Sequence, residues 1–92
     1  MIEERSILNI FTSIGHDSII GKGAILSSYC TLNGNVVVGN NLFMGTRSSV
    51  LLKSQIGNNC SISAHSVADG IIDDNIMVKD TIIQKRVKNR LI

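Results

Sequence analysis

Aromatic residues and proline are scarce in this sequence of 92 residues, which contains one tyrosine, two phenylalanines and no tryptophan or proline. The formal net charge is only +2 at pH 7. Few aromatic rings and little excess positive charge provide neither a base-stacking platform nor a strong phosphate-binding field. The composition therefore argues against nucleic acid as a partner.

Long apolar runs are also absent, although 43% of the residues are hydrophobic and 17% are charged. Polar residues interrupt the chain too often for a membrane span, and the apolar content is too high for a disordered chain. Glu3, Glu4 and Arg5 precede any apolar stretch, which is the wrong order for a secretory signal peptide. We therefore expect one soluble, cytoplasmic domain over residues 1–92, with no membrane partner.

The two cysteines, Cys30 and Cys60, are too few for a disulfide framework. They also lack the C-x-x-C spacing and the neighbouring histidines that zinc and redox sites need. We predict that both are buried free thiols.

Aliphatic residues recur at every sixth position through most of the chain, namely at Leu8, Ile14, Ile20, Leu26, Leu32, Val38, Met44, Val50, Ile56 and Ile62. The residue after each is often glycine or asparagine, which suits a corner with unusual backbone angles or a close backbone approach. The residue four positions after each is nearly always small, as a tightly filled interior requires. A period of six fits neither a helix nor a single strand, so it predicts a solenoid of short strands joined by tight corners.

Three units, at residues 14–19, 20–25 and 56–61, read aliphatic, glycine, two variable residues, small, variable. This pattern resembles the hexapeptide-repeat acyltransferases, in which three hexads make one coil. The resemblance implies an all-β fold, a single-stranded left-handed parallel β-helix of about three coils, with repeats over about residues 8–67. The register fails after Val67, so residues 68–92 are expected to be a short C-terminal extension, ending in a closing strand or a short helix around Ile82 and Ile83.

So short a prism buries only a thin interior column and needs further stabilisation. Outward-facing apolar side chains are available for this purpose at Ile19, Ile25, Val37, Leu51 and Leu52. The family assembles as homotrimers of parallel prisms, so the resemblance implies a homotrimer. The alternative is that these side chains face solvent or the terminal segments.

The stretch at residues 13–21 contains His16 followed by Asp17. It resembles the His-Asp or His-Glu element of one branch of the family, the sialic-acid O-acetyltransferases and the N-acetyltransferases of nucleotide-linked amino sugars. The resemblance implies acetyl transfer from acetyl-CoA to a hydroxyl or amine of a sugar-type or nucleotide-sugar acceptor. His16 would be the general base and Asp17 its partner, since imidazole exchanges protons readily near neutral pH. The alternative is an ordinary surface histidine, and nothing in the resemblance calls for His65.

Other positions follow from the same resemblance. Gly34 matches a glycine near the substrate, and Thr46 and Ala64 match positions that contact acetyl-CoA mainly through their backbone. Basic side chains that could pair with the phosphates of coenzyme A are present at Arg47, Lys53 and Lys79. The alternative is that they are ordinary surface charges. Only two histidines are available, so the three imidazole ligands of the zinc carbonic anhydrases built on this fold cannot be supplied, and we expect no metal site.

The sequence departs from that branch in several places. Ile25 stands where the sugar acetyltransferases often have a second histidine, and Leu52-Lys53-Ser54 replaces a Leu-Pro-Gly-like turn. The branch also carries an N-terminal sugar-binding domain that has no counterpart in these residues. Two alternatives therefore stand beside the enzyme: a non-catalytic β-helical trimerisation scaffold, and a fragment that lacks its sugar-binding domain.

Overall fold

The computed structural model describes residues 1–80 and 86–89, and these form a parallel β-solenoid with no helix. No segment of the described ranges is a helix long and apolar enough to cross a membrane. The thirteen described strands have two residues each: β1 (Ile7–Leu8), β2 (Ser13–Ile14), β3 (Ile19–Ile20), β4 (Ile25–Leu26), β5 (Thr31–Leu32), β6 (Val37–Val38), β7 (Phe43–Met44), β8 (Ser49–Val50), β9 (Gln55–Ile56), β10 (Ser61–Ile62), β11 (Val67–Ala68), β12 (Ile71–Ile72) and β13 (Met77–Val78).

The strands stack into three flat faces of a triangular prism, and each strand pairs in parallel with the strand three further along the chain. Face 1 has the order β1-β4-β7-β10-β13, face 2 the order β2-β5-β8-β11, and face 3 the order β3-β6-β9-β12. Through the first three coils the paired residues are 18 apart, as in Ile7 with Ile25. Three hexads therefore make one coil, as predicted.

The second residue of each strand points into the prism. Eight of the ten predicted inward aliphatics are buried, from Ile20 to Ile62. Ile14 is half-buried and Leu8 is 39% exposed, because both lie in the coil at the N-terminal end of the prism. The predicted small positions are also buried from Ser18 onward, and both Cys30 and Cys60 are buried free thiols, as predicted.

The glycines that follow the inward aliphatics are required by close backbone approach. A Cβ on Gly15 would lie 2.5 Å from the backbone nitrogen of Gly34, and one on Gly45 would lie 2.5 Å from that of Ala64. The left-handed backbone conformation falls two residues later instead, for example at Asp17 with φ 56°. Of the two reasons that the sequence suggested for glycine, only the close approach applies here.

The hexad register does break after Val67, but the prism does not end there. Ala68 fills the next inward position with full burial, and the following turn contains only Asp69 and Gly70, two residues fewer than the others. Ser54 Oγ accepts a hydrogen bond from the Gly70 N–H at 3.0 Å, which fixes the shortened turn. β12 and β13 then resume the stacking, so the solenoid has about four turns rather than the expected three.

Asp80 closes part of the C-terminal edge of the prism. Its carboxylate accepts a hydrogen bond from the Val67 N–H at 2.9 Å, and its own N–H donates to Ser66 Oγ at 3.0 Å. Such side-chain bonds satisfy backbone groups of the last strand on a face, which has no strand of a following coil to pair with. The predicted closing strand or helix around Ile82 and Ile83 lies outside the described residues.

Candidate active site

The faces meet at three corners, each a column of stacked turns. The His16 corner, between faces 2 and 3, contains residues 15–18, 33–36, 51–54 and the short turn 69–70. The Arg47 corner, between faces 1 and 2, contains residues 9–12, 27–30, 45–48 and 63–66. The asparagine corner, between faces 3 and 1, contains residues 3–6, 21–24, 39–42, 57–60 and 73–76.

His16 and Asp17 lie side by side on the surface of the His16 corner. His16 Nδ1 is 3.3 Å from Asp17 Oδ2, and the two side chains are 77% and 80% exposed. When Nδ1 carries the proton that it shares with Asp17, Nε2 is free to accept one. The structure thus places the side chains of the two residues predicted as base and partner within 3.3 Å of each other.

The His16 ring rests against Gly34 of the next coil. A Cβ at position 34 would lie 3.1 Å from His16 Nε2 and 3.2 Å from Cε1, so a larger residue would require the ring to shift by a few tenths of an ångström. The backbone of the two turns is also joined, because the Asn35 N–H donates to the His16 carbonyl at 2.9 Å. Gly34 therefore supports the imidazole, whatever its relation to a substrate.

We expect Gly34→Ala to lower any His16-dependent turnover by about 10- to 100-fold, because the new methyl group displaces the ring by a fraction of an ångström or more. The backbone of Gly34 is not left-handed, so alanine fits its conformation and the melting temperature should not fall. Steady-state kinetics and thermal unfolding of the variant check both parts. A variant with normal kcat would show that the ring position is unimportant.

Thr46 and Ala64 lie one above the other on the Arg47 corner, in successive coils. The His65 N–H donates to the Thr46 carbonyl at 2.9 Å, and both Thr46 and Ala64 are exposed. This corner is separated from His16 by the width of face 2. Within one chain the structure therefore groups His16, Asp17 and Gly34, and it does not bring Thr46 or Ala64 to them.

The three faces differ strongly in polarity. Face 2 presents mainly hydroxyls, with outward residues Ser13, Thr31, Ser49 and Val67. Face 1 presents Ile7, Ile25, Phe43, Ser61 and Met77, and face 3 presents Ile19, Val37, Gln55 and Ile71. Of the predicted outward apolar residues, Leu51 is half-buried and the others are exposed. The two apolar faces adjoin at the asparagine corner.

Side chains at the asparagine corner bond to the backbone of the coil before them. Asn40 Oδ1 accepts from the Lys22 N–H at 2.9 Å, Asn58 Oδ1 from the Asn40 N–H at 2.7 Å, and Asp74 Oδ1 from the Asn58 N–H at 2.7 Å. A shallow depression on face 3 beside this corner is lined by residues such as Val37, Gln55 and Asp74, and it does not include His16. The described residues contain no group of three His, Cys, Asp or Glu side chains that could hold a metal ion.

An aromatic and cationic column on the Arg47 corner was not predicted from the sequence. The Phe11 and Tyr29 rings stack with their centroids 5.0 Å apart and an interplanar angle of 25°. The guanidinium carbon of Arg47 lies 4.5 Å from the Tyr29 centroid. The three residues are 18 apart and share the same left-handed turn position, with φ between 58° and 62°. Once the coil length is known, this spacing is the signal that identifies the column.

No protein-family model matches the sequence, and no curated protein matches it. The fold is similar to that of serine acetyltransferase 1 from Entamoeba histolytica in complex with L-cysteine, with a TM-score of 0.67, 21% identity and coverage of 86% of this chain and 38% of that chain. Serine acetyltransferase isoform 3 from the same organism, in complex with cysteine, gives a TM-score of 0.48, 17% identity and coverage of 87% and 36%.

This chain therefore spans well under half the length of either solved structure. At 21% identity the first match establishes the fold alone, and it supports the predicted parallel β-helix. The sialic-acid and amino-sugar branch, which the residues around His16 resemble, is not confirmed by these matches. The chain is an all-β parallel solenoid with the fold of a solved acetyltransferase.

Proposed function

We propose that the protein transfers an acetyl group from acetyl-CoA to a hydroxyl or amine of a small acceptor, with His16 as general base. The observation that carries this proposal is the exposed His16–Asp17 pair, which is braced by Gly34 on one corner of the prism. The solenoid supplies the setting, since an acetyltransferase of known structure has the same fold. The other histidine, His65, has no carboxylate within ion-pair distance among the described residues.

In this reaction the acceptor O–H or N–H bond breaks as its oxygen or nitrogen bonds to the thioester carbon. His16 Nε2 takes the proton, and Asp17 stabilises the resulting imidazolium through Nδ1. The C–S bond then breaks, and the departing thiolate takes the proton from His16. A backbone N–H at a corner turn would stabilise the developing oxyanion. Because the protein gains and loses the same proton, it ends each cycle unchanged.

A homotrimer would complete this site. Faces 1 and 3 are apolar and adjoin at the asparagine corner, so three parallel prisms with that corner inward would place face 1 of each opposite face 3 of the next, in contact near the axis and separated by a cleft farther out. The side chains of Asn40, Asn58 and Asp74 at this corner already accept backbone N–H bonds, which lowers the cost of placing them near the axis. The outer part of the space between two copies would then lie between the His16 corner of one copy and the Arg47 corner of its neighbour.

This arrangement supplies what the single chain lacks. A His–Asp pair that is more than three-quarters exposed on each side chain is bathed in water, which weakens its electrostatic coupling. In the trimer the neighbour's Thr46 and Ala64 would line the opposite wall and hold the acyl donor against His16. The acceptor would enter the same cleft, so side chains from two copies would determine which chemical class of acceptor binds.

The acceptor is best sought in a panel that contains L-serine, free amino sugars and nucleotide-linked amino sugars. L-Serine is included because the solved proteins of this fold are named serine acetyltransferases, and the sugars because of the resemblance around His16. Thiol release from acetyl-CoA reports the reaction with any of them. The product then distinguishes O-transfer from N-transfer.

The deciding experiment is a calorimetric titration of the purified chain with acetyl-CoA, with sedimentation to count the copies in the assembly. We expect saturable binding near one acetyl-CoA per chain in a trimer. A well-folded trimer that does not bind acetyl-CoA would overturn the enzyme and favour the trimerisation scaffold. A monomer that binds it would overturn the shared site.

A further inference from the structure

We infer that Arg47, placed over the ring of Tyr29, is a clamp for the oxygens of a phosphate ester, and that Tyr29 acts as its positioning residue. The inference rests on the proposed function only in taking that ester to be part of the acyl donor. The clamp itself is argued from the column on the Arg47 corner.

The column places the guanidinium of Arg47 over the ring of Tyr29. Phe11, Tyr29 and Arg47 occupy the same position of three successive turns, and each side chain leaves the backbone from the same left-handed conformation. The main chain is tied across the coils by the Tyr29 N–H bond to the Ile10 carbonyl at 3.1 Å and the Arg47 N–H bond to the Ser28 carbonyl at 3.2 Å. The side chains therefore stack in register, and the ring of Tyr29 faces Arg47 from 4.5 Å.

The Tyr29 ring covers one side of the guanidinium group and leaves its other sides open to a ligand. The five N–H groups lie in the guanidinium plane, in a fork that matches two oxygens of a phosphate. No carboxylate within the described residues forms an ion pair with Arg47. An arginine that is oriented by a ring and has no acidic partner there has its donors available for an external anion.

The position of the clamp matches what the proposed reaction needs. Arg47 follows Thr46 directly, and in the proposed trimer the Arg47 corner faces His16 of the neighbouring copy. Lys79, which is exposed at the start of the next turn of this corner, adds a positive charge, and the adjacent Asp80 carboxylate is bonded to a backbone N–H. Oriented donors cost less entropy on binding than a freely moving arginine would.

The test is calorimetric titration with inorganic pyrophosphate at low salt, repeated with acetyl-CoA. We expect Arg47→Gln to weaken pyrophosphate binding at least tenfold and Arg47→Lys to weaken it severalfold, because lysine lacks the fork. Tyr29→Leu should weaken it severalfold, whereas Tyr29→Phe keeps the ring and should bind as the unchanged protein does. Lys88→Gln, which removes one exposed charge outside the three corners, is the matched control and should bind normally.

The outcomes separate this inference from the proposed function. Equal affinity of Tyr29→Leu and Tyr29→Phe would overturn the positioning role, and normal binding of both ligands by Arg47→Gln would overturn the clamp. Pyrophosphate binding that depends on Arg47, without any acetyl-CoA binding, would keep the clamp and refute the proposed acyl donor. Acetyl-CoA binding that does not depend on Arg47 would keep the proposed acyl donor and overturn the role of the clamp in binding it.

Discussion

Alanine in place of His16 is expected to reduce acetyl transfer by roughly 100- to 10,000-fold, the usual contribution of general base catalysis. In the proposed site the imidazole takes the acceptor proton, with Asp17 near Nδ1 and Gly34 beneath the ring. The side chain is exposed and fills no part of the core, so its loss should leave folding and assembly unchanged. Thiol-release kinetics measure the first effect, and thermal unfolding with sedimentation measures the second.

Asp17→Asn provides a graded companion to this variant. Asparagine tolerates the left-handed backbone that Asp17 adopts at φ 56°, so the turn should persist. The amide still accepts a hydrogen bond from Nδ1 but no longer stabilises the imidazolium, and we expect a loss smaller than that of His16→Ala. Turnover in His16→Ala equal to that of the unchanged protein would remove the proposed base. If His16→Ala also failed to form the trimer, its lower turnover would reflect lost assembly and not the loss of a base.

The period of six predicted most of the interior because a solenoid repeats one local environment. An inward aliphatic and a buried small residue recur in each hexad, so the sequence itself carries the geometry, from Ile20 to Ser66. The prediction stopped at Val67 because Ala68 is too small to count as a repeat residue and the next turn is two residues short. The strands continue to stack although the six-residue register is lost, because the Ser54 side chain bonds to the shortened turn.

The site was less predictable than the core. The His16–Asp17 pair is local in sequence, and the resemblance drew attention to it. The support of the ring by Gly34 and the stacking of Arg47 on Tyr29 join residues 18 apart, so they become visible only when the coil length is known. The separation of His16 from Thr46 and Ala64 depends on which corner each turn occupies, which a list of matching positions does not reveal.

Two inactive variants are expected to restore activity when they are assembled together. The proposed site takes its base from one copy, and it takes from the next copy the donor wall, which is the surface at Thr46 and Ala64 that holds the acyl donor. His16→Ala keeps the Arg47 corner intact. Ala64→Trp keeps His16 and fills the donor wall with an indole, which the exposed position of Ala64 accommodates without disturbing the core. Each variant alone should form inactive trimers.

Random assembly of equal amounts should give an intact wall beside an intact His16 in about one quarter of the sites. The mixture, made by co-expression or joint refolding, should therefore recover about a quarter of the unchanged protein's turnover. Preformed trimers that are mixed without exchange of subunits are the control and should stay inactive. A site contained within one chain leaves the co-assembled mixture as inactive as its parents, and an active Ala64→Trp trimer would exclude that corner from the donor wall. Turnover of the mixture recovers only if the His16 corner of one copy works with the Arg47 corner of a neighbouring copy, because the two corners are apart within each chain.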